Sequence, residues 1–549
     1  MLLGMQHVAR IFAVIGLLVF GWSAQAADTL SGHTVVLDES RKLISWLPQE
    51  TAYHDVLRLG WDFMLHKVVT EDNGLPSYLS YCCIDGKTRK GTRWPHNPAG
   101  LNAMLVDGAI GYQLYFGQKD GVALVKRMLD HQLVNGTTPA GWSWGSVPYA
   151  SSEPGQRFFR GAYDFGFKQP DDKDVARGDG YGVIEPDKVG ELGYGYLKFW
   201  ELTGDKKYQS AALACAAALA SHVRTGDATR SPWPFRVYAE HNVVREEYSA
   251  SVTGPLRLLD EVIRLKLGTP AQQSGLKRAR QLVWQWTLAF PMRNNEWGNY
   301  FEDITFMPDT HNWANVNPFE LARYLLERPD LDPDWRAHAA ALIGFGEKTF
   351  GADTTNKNPK RSEKAMQWGA RTISEQSTYM YKMASHTSRY AQVKALWHER
   401  TGEAEAKDAA FRSFNWASYM CDKDGLVTVG PIETSIWFTD GYGDYLRHYL
   451  NGMAAVPQWA PPHQDHLLRS TSVIKEVSYA PKKLSYRSFD KEGTEVLRLS
   501  FTPKTITAGT KLQIRSDLEA AGYTLTDAGG GDVIVRIRRT GSDKVRIEG

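Results

Sequence analysis

The sequence predicts a mainly α-helical fold, an (α/α) toroid of about six helical hairpins, followed by a small antiparallel β domain. Three observations carry this. Apolar residues recur at helical spacing from about Trp46 to Leu450. The links between the helices alternate between tight and long. After about Pro461 the period switches to the two-residue alternation of strands.

The helix starts come first. Asn97-Pro98, Glu185-Pro186 and Asn317-Pro318 each place a proline at the first helical position behind a capping side chain, where its missing N–H is no loss. Apolar-periodic runs follow them, such as Leu101, Leu105, Ala109 and Tyr112, or Val189, Leu192, Tyr196 and Phe199. Further helices are expected over 52–69, 119–134, 206–224, 249–267, 273–289, 334–349, 372–400, 404–420 and 439–452. LTGDKK and ERPDLDPDW are tight links, whereas 137–184, 225–248 and 290–317 are long and rich in Gly, Trp and Tyr. Tight links at one end and decorated loops at the other describe hairpins closed into a ring, with the loops gathered over one mouth. The chain shows no strict repeat of about 34 or 40 residues, which argues against an open solenoid. In the β domain, VLRLSFTP, KLQIRSD, YTLTD, VIVRIRRT and KVRIE alternate apolar and polar residues. Gly529-Gly530-Gly531 and Thr540-Gly541-Ser542-Asp543 read as hairpin turns, and the proline-rich VPQWAPPHQD as the linker. The expected division is a signal peptide at 1–26, the toroid at 27–460 and the β domain at 461–549.

Residues 1–26 carry the marks of a cleavable secretory signal. Arg10 ends a basic stretch, Ile11 to Trp22 is apolar, and Ala24-Gln25-Ala26 is a small-x-small cleavage site. The apolar run is short for a bilayer span. The mature chain is therefore expected to be periplasmic or secreted, cut after Ala26 and not held in a membrane. Lys and Arg total 64 against 62 Asp and Glu, interspersed, with no basic run interleaved with aromatics, which excludes a nucleic-acid partner. The expected partner is a glycan, since 18 tryptophans and 12% aromatic content suit flat amphipathic ligands. Of the four cysteines, adjacent Cys82 and Cys83 sit too close to bridge each other, and either can pair with Cys421 if the fold brings them together. Cys215, in AALACAAALA, reads as a small core residue. No Cys-x-x-Cys occurs and the histidines are scattered, so neither a metal nor another cofactor is expected.

The helix-pair rhythm over 46–450, the blocks GVIEPDKVGELGYGYLKFWELTGDKKY and WFTDGYGDYLRHY, and the appended β domain carry a resemblance. The chain resembles the six-hairpin glycosidase-like superfamily, toroids that include glycoside hydrolases and polysaccharide lyases. The resemblance implies an enzyme that cleaves glycosidic bonds. It transfers no catalytic residues, because no single family's motif is matched, so candidates are argued from residue chemistry.

The densest cluster is NYFEDITFMPDTHNWANVN, residues 299–317. Tyr300 and Trp313 offer rings to the C–H faces of a sugar, Glu302 and Asp303 offer carboxyls, and His311 with Asn312 offers a base beside an amide. Adjacent Glu302 and Asp303 point to opposite sides of an extended rim, so only one can face substrate. The bland reading is a surface loop with buried aromatic anchors. Glu247 with Tyr248, and Asp440 with Trp437, form two further acid–aromatic clusters; the bland reading of Asp440-Gly441 is an ordinary turn. Glu185, Asp187 and Glu191 mark a helix start, where acids also serve as cap and dipole partners. Glu375, Tyr379, Lys382 and His386 fall on one face if 372–400 is helical. Trp142 and Trp144 in GWSWGSVPY are stacking platforms or structural clamps. A carboxyl pair would hydrolyse a glycosidic bond. A His or Tyr with an amide neutraliser would instead cleave a uronate polymer by β-elimination. A non-catalytic carbohydrate-binding ring is the third reading.

Overall fold

The structure, a computed structural model, describes residues 28–81, 83–92, 99–150, 182–298, 312–351, 365–377, 381–431, 436–438 and 443–549. Among them are twelve helices of ten residues or more: α1 (Ala52–His66), α2 (Ala99–Phe116), α3 (Asp120–Asn135), α4 (Pro186–Thr203), α5 (Lys206–His222), α6 (Thr253–Arg264), α7 (Pro270–Ala289), α8 (Val316–Glu327), α9 (Trp335–Phe350), α10 (Ala384–Thr401), α11 (Ala404–Ser418) and α12 (Leu446–Ala455). They form two concentric layers. The even-numbered helices make the inner ring, in the order α2, α4, α6, α8, α10, α12 and back to α2. Each packs against one outer helix, α3, α5, α7, α9 and α11 in turn, and α12 takes α1 as its outer partner. The ring is thus closed by joining the two ends of the helical region.

Local chemistry sets the ends. Pro186 starts α4, and Gly204, at φ 79°, ends it in the left-handed conformation glycine favours. Thr269 and Gln272 form a capping box at α7. Outer helices bury one stripe. Inner helices are enclosed by both layers, so α10 buries nearly every residue from Ala384 to Trp397, including Ser385, His386, Thr387, Ser388, Arg389 and Gln392. No described helix is long and apolar enough to cross a membrane.

The N-terminal ends of the inner helices share one face, the mouth. Short strands precede several of them: Val183–Ile184, Arg236–Tyr238 and Val243–Glu246 pair in one sheet, and Ile436–Phe438 pairs with Cys83–Asp85 in another. The opposite face, the base, is covered by the β domain. Its first sheet runs His466–Ser470, Gly493–Leu499, Asp532–Arg539, Gly522–Gly529 in spatial order. Its second runs Ile474–Ala480, Lys483–Ser488, Lys544–Glu548, Thr505–Ala508, Thr510–Lys511. The domain is seated on the last turns of three inner helices. Tyr479 donates to the Leu114 carbonyl at 2.6 Å and Gln113 to that of Ile474 at 3.1 Å, while Arg264 meets Asp490 at 3.0 Å and Arg469 meets Glu399 at 2.8 Å.

Several expectations need correction. The helix at Asn317-Pro318 begins earlier, at Val316, so Pro318 is its third residue and Asn317 donates to the Trp297 carbonyl instead of capping. The helix expected over 372–400 starts at Ala384. Its first stretch is diverted by hydroxyls, which compete for backbone groups: Ser374 donates to the Gln376 carbonyl, Thr387 accepts from Ile373, and Ser374 bridges Lys382 as a β pair. Glu375 and Lys382 therefore do not share a helix face with His386, and Lys382 turns to the Phe350 carbonyl at 2.8 Å. Thr540-Gly541-Ser542-Asp543 is not a hairpin turn, because its flanking strands lie in different sheets and it crosses between them. Most of KLQIRSD is not a strand. Cys421 is free and buried, so Cys83 does not pair with it; Cys215 is fully buried in α5. Cys82 lies outside the described residues.

Candidate active site

The axis of the ring is charged. Asp107 comes from α2, Asp187, Lys188 and Glu191 from α4, Arg257 from α6, Glu320 and Arg323 from α8, His386 and Arg389 from α10, and Arg447 and His448 from α12, with Asp444 just ahead of it. Arg447 reaches Asp444 at 2.7 Å, Glu320 at 3.2 Å and Asp107 at 3.4 Å. Arg323 lies 3.5 Å from Glu320, and Arg389 pairs with Asp444 and lies 3.4 Å from Glu320. His448 contacts Asp444 at 3.1 Å. Burial works to raise the Asp444 and Glu320 carboxyls, but the surrounding arginines outweigh it and hold both far below the usual carboxylate range. Burial pushes His448 down to about 4. These groups are a paired, fixed floor.

Asp107 itself keeps 47% of its side chain open, and above the floor two further carboxyls keep part of their surface open. Glu191, 17% exposed, lies one turn below the start of α4. It lines a cavity of about 70 Å³ with Asp107, Tyr194, Arg257, Glu320 and Arg447. Lys188 Nζ stands 3.8 Å from Glu191 and 3.9 Å from Asp187. Burial raises the Glu191 pKa; Lys188 opposes this, and the negative charges of Asp187 and Glu320 add to it. Two glycines make its room: a Cβ on Gly254 would sit 2.3 Å from Glu191 Cγ, and one on Gly100 2.3 Å from Glu191 Oε2. Asp187 Oδ2 accepts no hydrogen bond among the described residues.

The second open carboxyl is Glu375, 20% exposed, on the segment leading into α10. In a six-membered ring α10 stands opposite α4. His386 Nε2 is 3.5 Å from Glu375 Oε1, and its Nδ1 is 2.7 Å from Arg389 Nη1. A guanidinium only donates, so Nδ1 accepts, and in neutral His386 the hydrogen sits on Nε2, facing Glu375. Arg389 also donates to Asn315 at 2.9 Å, and Asn315 holds the Glu375 carbonyl at 3.1 Å.

The structure brings together several of the residues singled out in the sequence. Asn312 donates to Gln376 at 2.8 Å, the Trp313 backbone donates to Ser377 at 2.8 Å, and Ala314 bridges Gln376, so Asn312, Trp313 and Glu375 lie on adjoining segments of the mouth. The half-buried Trp313 donates from its indole to Glu296 at 3.2 Å, and Tyr248 donates to the Glu296 carbonyl at 2.8 Å. Trp142 is half-buried. Two candidates do not fit their expected roles. Trp144 is fully buried, stacked on His222 with ring centroids 4.1 Å apart, and offers no face to a sugar. Glu247 is exposed and paired with Arg224, outside the axial network. Trp437 lies in a strand opposite Ile84; its side chain, and all of Tyr300, Glu302, Asp303, His311, Tyr379 and Asp440, lie outside the described residues. Glu185 does not cap α4: its carboxylate accepts from Arg236 at 2.8 Å with both side chains buried.

Sequence reasoning passed over Asp107, Arg257, Glu320, Arg323, Arg389 and Arg447. Their signal was a charge set within an otherwise apolar helix, visible at Asp107 in ALVDGAIGY and at the Glu320/Arg323 pair. Among the described residues no cluster of three or more His, Cys, Asp or Glu is arranged to hold a metal ion.

No protein-family model and no curated protein matches the chain. Solved structures do. A D-mannose isomerase is 9% identical over 74% of this chain and 97% of its own, with a TM-score of 0.51. A cellobiose 2-epimerase from Spirochaeta thermophila DSM 6192 gives 9%, 74%, 98% and 0.51. An α-1,2-mannosidase from Trichoderma reesei is 11% identical over 74% and 94%, at a TM-score of 0.44. The chain shares the (α/α) toroid fold of the D-mannose isomerase and the cellobiose 2-epimerase.

Proposed function

We propose that the chain is an exported carbohydrate-active enzyme that hydrolyses glycosidic bonds of an oligo- or polysaccharide at the mouth of the ring. The observation that carries this is two partly open carboxyls at opposite stations: Glu191, whose environment favours the protonated form, and Glu375, whose carboxylate lies 3.5 Å from His386 Nε2. Hydrolysis needs one carboxyl as acid and one as base or nucleophile. Glu191 is suited to protonate the leaving oxygen, and Glu375 to activate the attacking water, with His386 and Arg389 orienting it. Asn312 and Trp313 border the same mouth and suit hydroxyl bonding and ring stacking. Solved chains with this fold include a D-mannose isomerase and a cellobiose 2-epimerase, so a sugar at the mouth fits the architecture. The signal-like residues 1–26 support export.

The test is a panel of glycans assayed for new reducing ends and for absorbance near ~235 nm, which an unsaturated uronate from elimination would give. Reducing ends without that absorbance are expected. Glu191→Gln and Glu375→Gln should each lower kcat by about 10²–10⁴, the usual share of general acid–base catalysis. If both variants keep full activity, the assignment is wrong. Absorbance growth would move the chemistry to β-elimination.

A further inference from the structure

A further cavity lies away from the mouth. It is a cleft of about 810 Å³ at the base, between α1, the end of α2 and the first strands of the β domain. That volume falls within the range of about 300–1,000 Å³ spanned by small-ligand clefts. Its ring-bearing wall holds His54, Tyr115, Phe116, His466 and Tyr479. The wall is fixed in advance. Tyr115 stacks on His466 with centroids 4.0 Å apart and planes 3° from parallel. The Tyr115 hydroxyl shares a 3.0 Å hydrogen bond with His54, and His466 donates to the Tyr115 carbonyl at 3.1 Å. The Tyr479 hydroxyl donates to Leu114 and accepts from the Leu467 N–H at 3.1 Å. Phe116 and Tyr479 are only partly buried and turn ring surface toward the cleft.

The other lip is polar. Arg58, Asp62 and His66 follow His54 at four-residue steps on α1, so the four line one face of the helix. Asp120 and Asp465 face it from the start of α3 and the β domain. Asp62 is paired with Lys67 at 3.0 Å and Arg58 with Asp55 at 3.3 Å, so Asp120 and Asp465 leave the lip net negative, which disfavours an anionic ligand; burial pushes His54 down toward the neutral form. Fixed rings on one side and bidentate hydrogen-bonding groups on the other are complementary to a chain of neutral sugars, with its C–H faces and hydroxyl edges.

We infer that this cleft is an accessory binding site for an uncharged oligosaccharide segment, separate from the mouth and formed jointly by the toroid and the β domain. It would hold a polymer on the enzyme while the mouth acts on it. The site does not depend on the mouth's chemistry, so binding and turnover are read separately.

The experiment is affinity gel electrophoresis of the full mature chain in gels containing soluble mannan, xylan, amylose, hydroxyethyl cellulose or polygalacturonate. Native chain should be retarded by at least one neutral polymer and not by polygalacturonate. Arg58→Ala with Asp62→Ala, both on the solvent side of α1, should weaken retardation by about tenfold or more, as expected for losing charge-assisted hydrogen bonds. Turnover of a small aryl glycoside should be unchanged. Phe116→Ala should give the same loss, and the surface pair keeps the test interpretable if Phe116→Ala fails to fold. Retardation that survives the double substitution, preference for polygalacturonate, or no retardation by any neutral polymer each overturns the inference. Retardation by a chain that cleaves no glycan would uphold the cleft and remove the proposed hydrolysis.

Discussion

Glu201 gives the sharpest quantitative expectation. It lies on α4 and is completely buried, with Lys198 at 3.1 Å. Lys198 also meets Glu261 of α6 at 2.6 Å, and Arg264 joins Glu261 to Asp490 of the β domain. Two carboxyls thus share one ammonium at the seat of the β domain. Burial raises the Glu201 pKa from 4.5 to about 8; Lys198 opposes this and Glu261 reinforces it. Against its own burial, Glu261 is held ionised by Arg264 and Lys198. A carboxyl with a raised folded-state pKa binds a proton in the folded chain that the unfolded chain has released. Its contribution is fully present below the unfolded pKa and is lost as pH rises toward the folded one. Stability should therefore fall by about 1.4 kcal/mol per pH unit, or about 4 kcal/mol between about pH 5 and pH 8. Glu261 adds nothing to this window, because its depressed pKa acts only on the acid side. Glu201→Gln keeps the shape and the donor toward Glu261 but has no proton to lose. Urea unfolding of native chain and variant across this range measures the difference. The native curve should steepen downward relative to the variant, whose advantage grows with pH. Parallel loss in the two proteins would refute the reasoning.

Other expectations follow from the axis. Arg389→Met removes the cation shared by Asp444 and Glu320 while Arg447 stays in place, so the loss should be near the lower end of breaking a buried pair, about 3 kcal/mol in urea unfolding. The same substitution frees His386 Nδ1 and should alter the pH profile of kcat, which a purely structural role would leave in place. Gly254→Ala drives a Cβ against Glu191 Cγ, so it should destabilise by about 1–3 kcal/mol and reduce kcat/KM by displacing that carboxyl. An unchanged melting temperature with full activity would count against the packing described for Glu191.

The sequence yielded the helical scaffold because its signals are local. Glu185-Pro186 announces α4 and the apolar spacing of 119–134 matches α3 to within a residue, since capping and periodicity act over one or two turns. The turn to strands after Pro461 shows for the same reason. What it did not yield depends on partners far along the chain. Periodicity says that Asp107 is on a helix, but not that Arg323 and Arg447 come to meet it. The segment 372–383 has helical composition, yet the Ser374 hydroxyl is captured by the Phe350 carbonyl and the Ile373 N–H by the Thr387 hydroxyl of α10. Trp144 looks like an exposed platform among glycines until His222 of α5 is laid against it. Glu191 was visible only as an acid near a helix start; its room comes from Gly100 of α2 and Gly254 of α6, and its raised pKa from burial, with Asp187 and Glu320 adding to it.

The composition of the axis bears on function more than any one residue. A ring of six helices can close on leucines, and replacing buried ion pairs by apolar side chains of similar volume is often neutral or stabilising. This chain instead puts arginines from α6, α8, α10 and α12 beside Glu320, and pairs nearly every buried charge. Pairing explains how the network is tolerated, not why it is there. Its effect is felt at two groups of the mouth. Arg389 fixes the His386 ring through Nδ1, with Nε2 3.5 Å from Glu375, and Glu191 is raised by burial, with Asp187 and Glu320 adding to it. A floor of mutually clamped charges leaves no rotamer freedom beneath the mouth. Within the proposed hydrolysis, Glu191 is the carboxyl whose surroundings favour the proton-donating form.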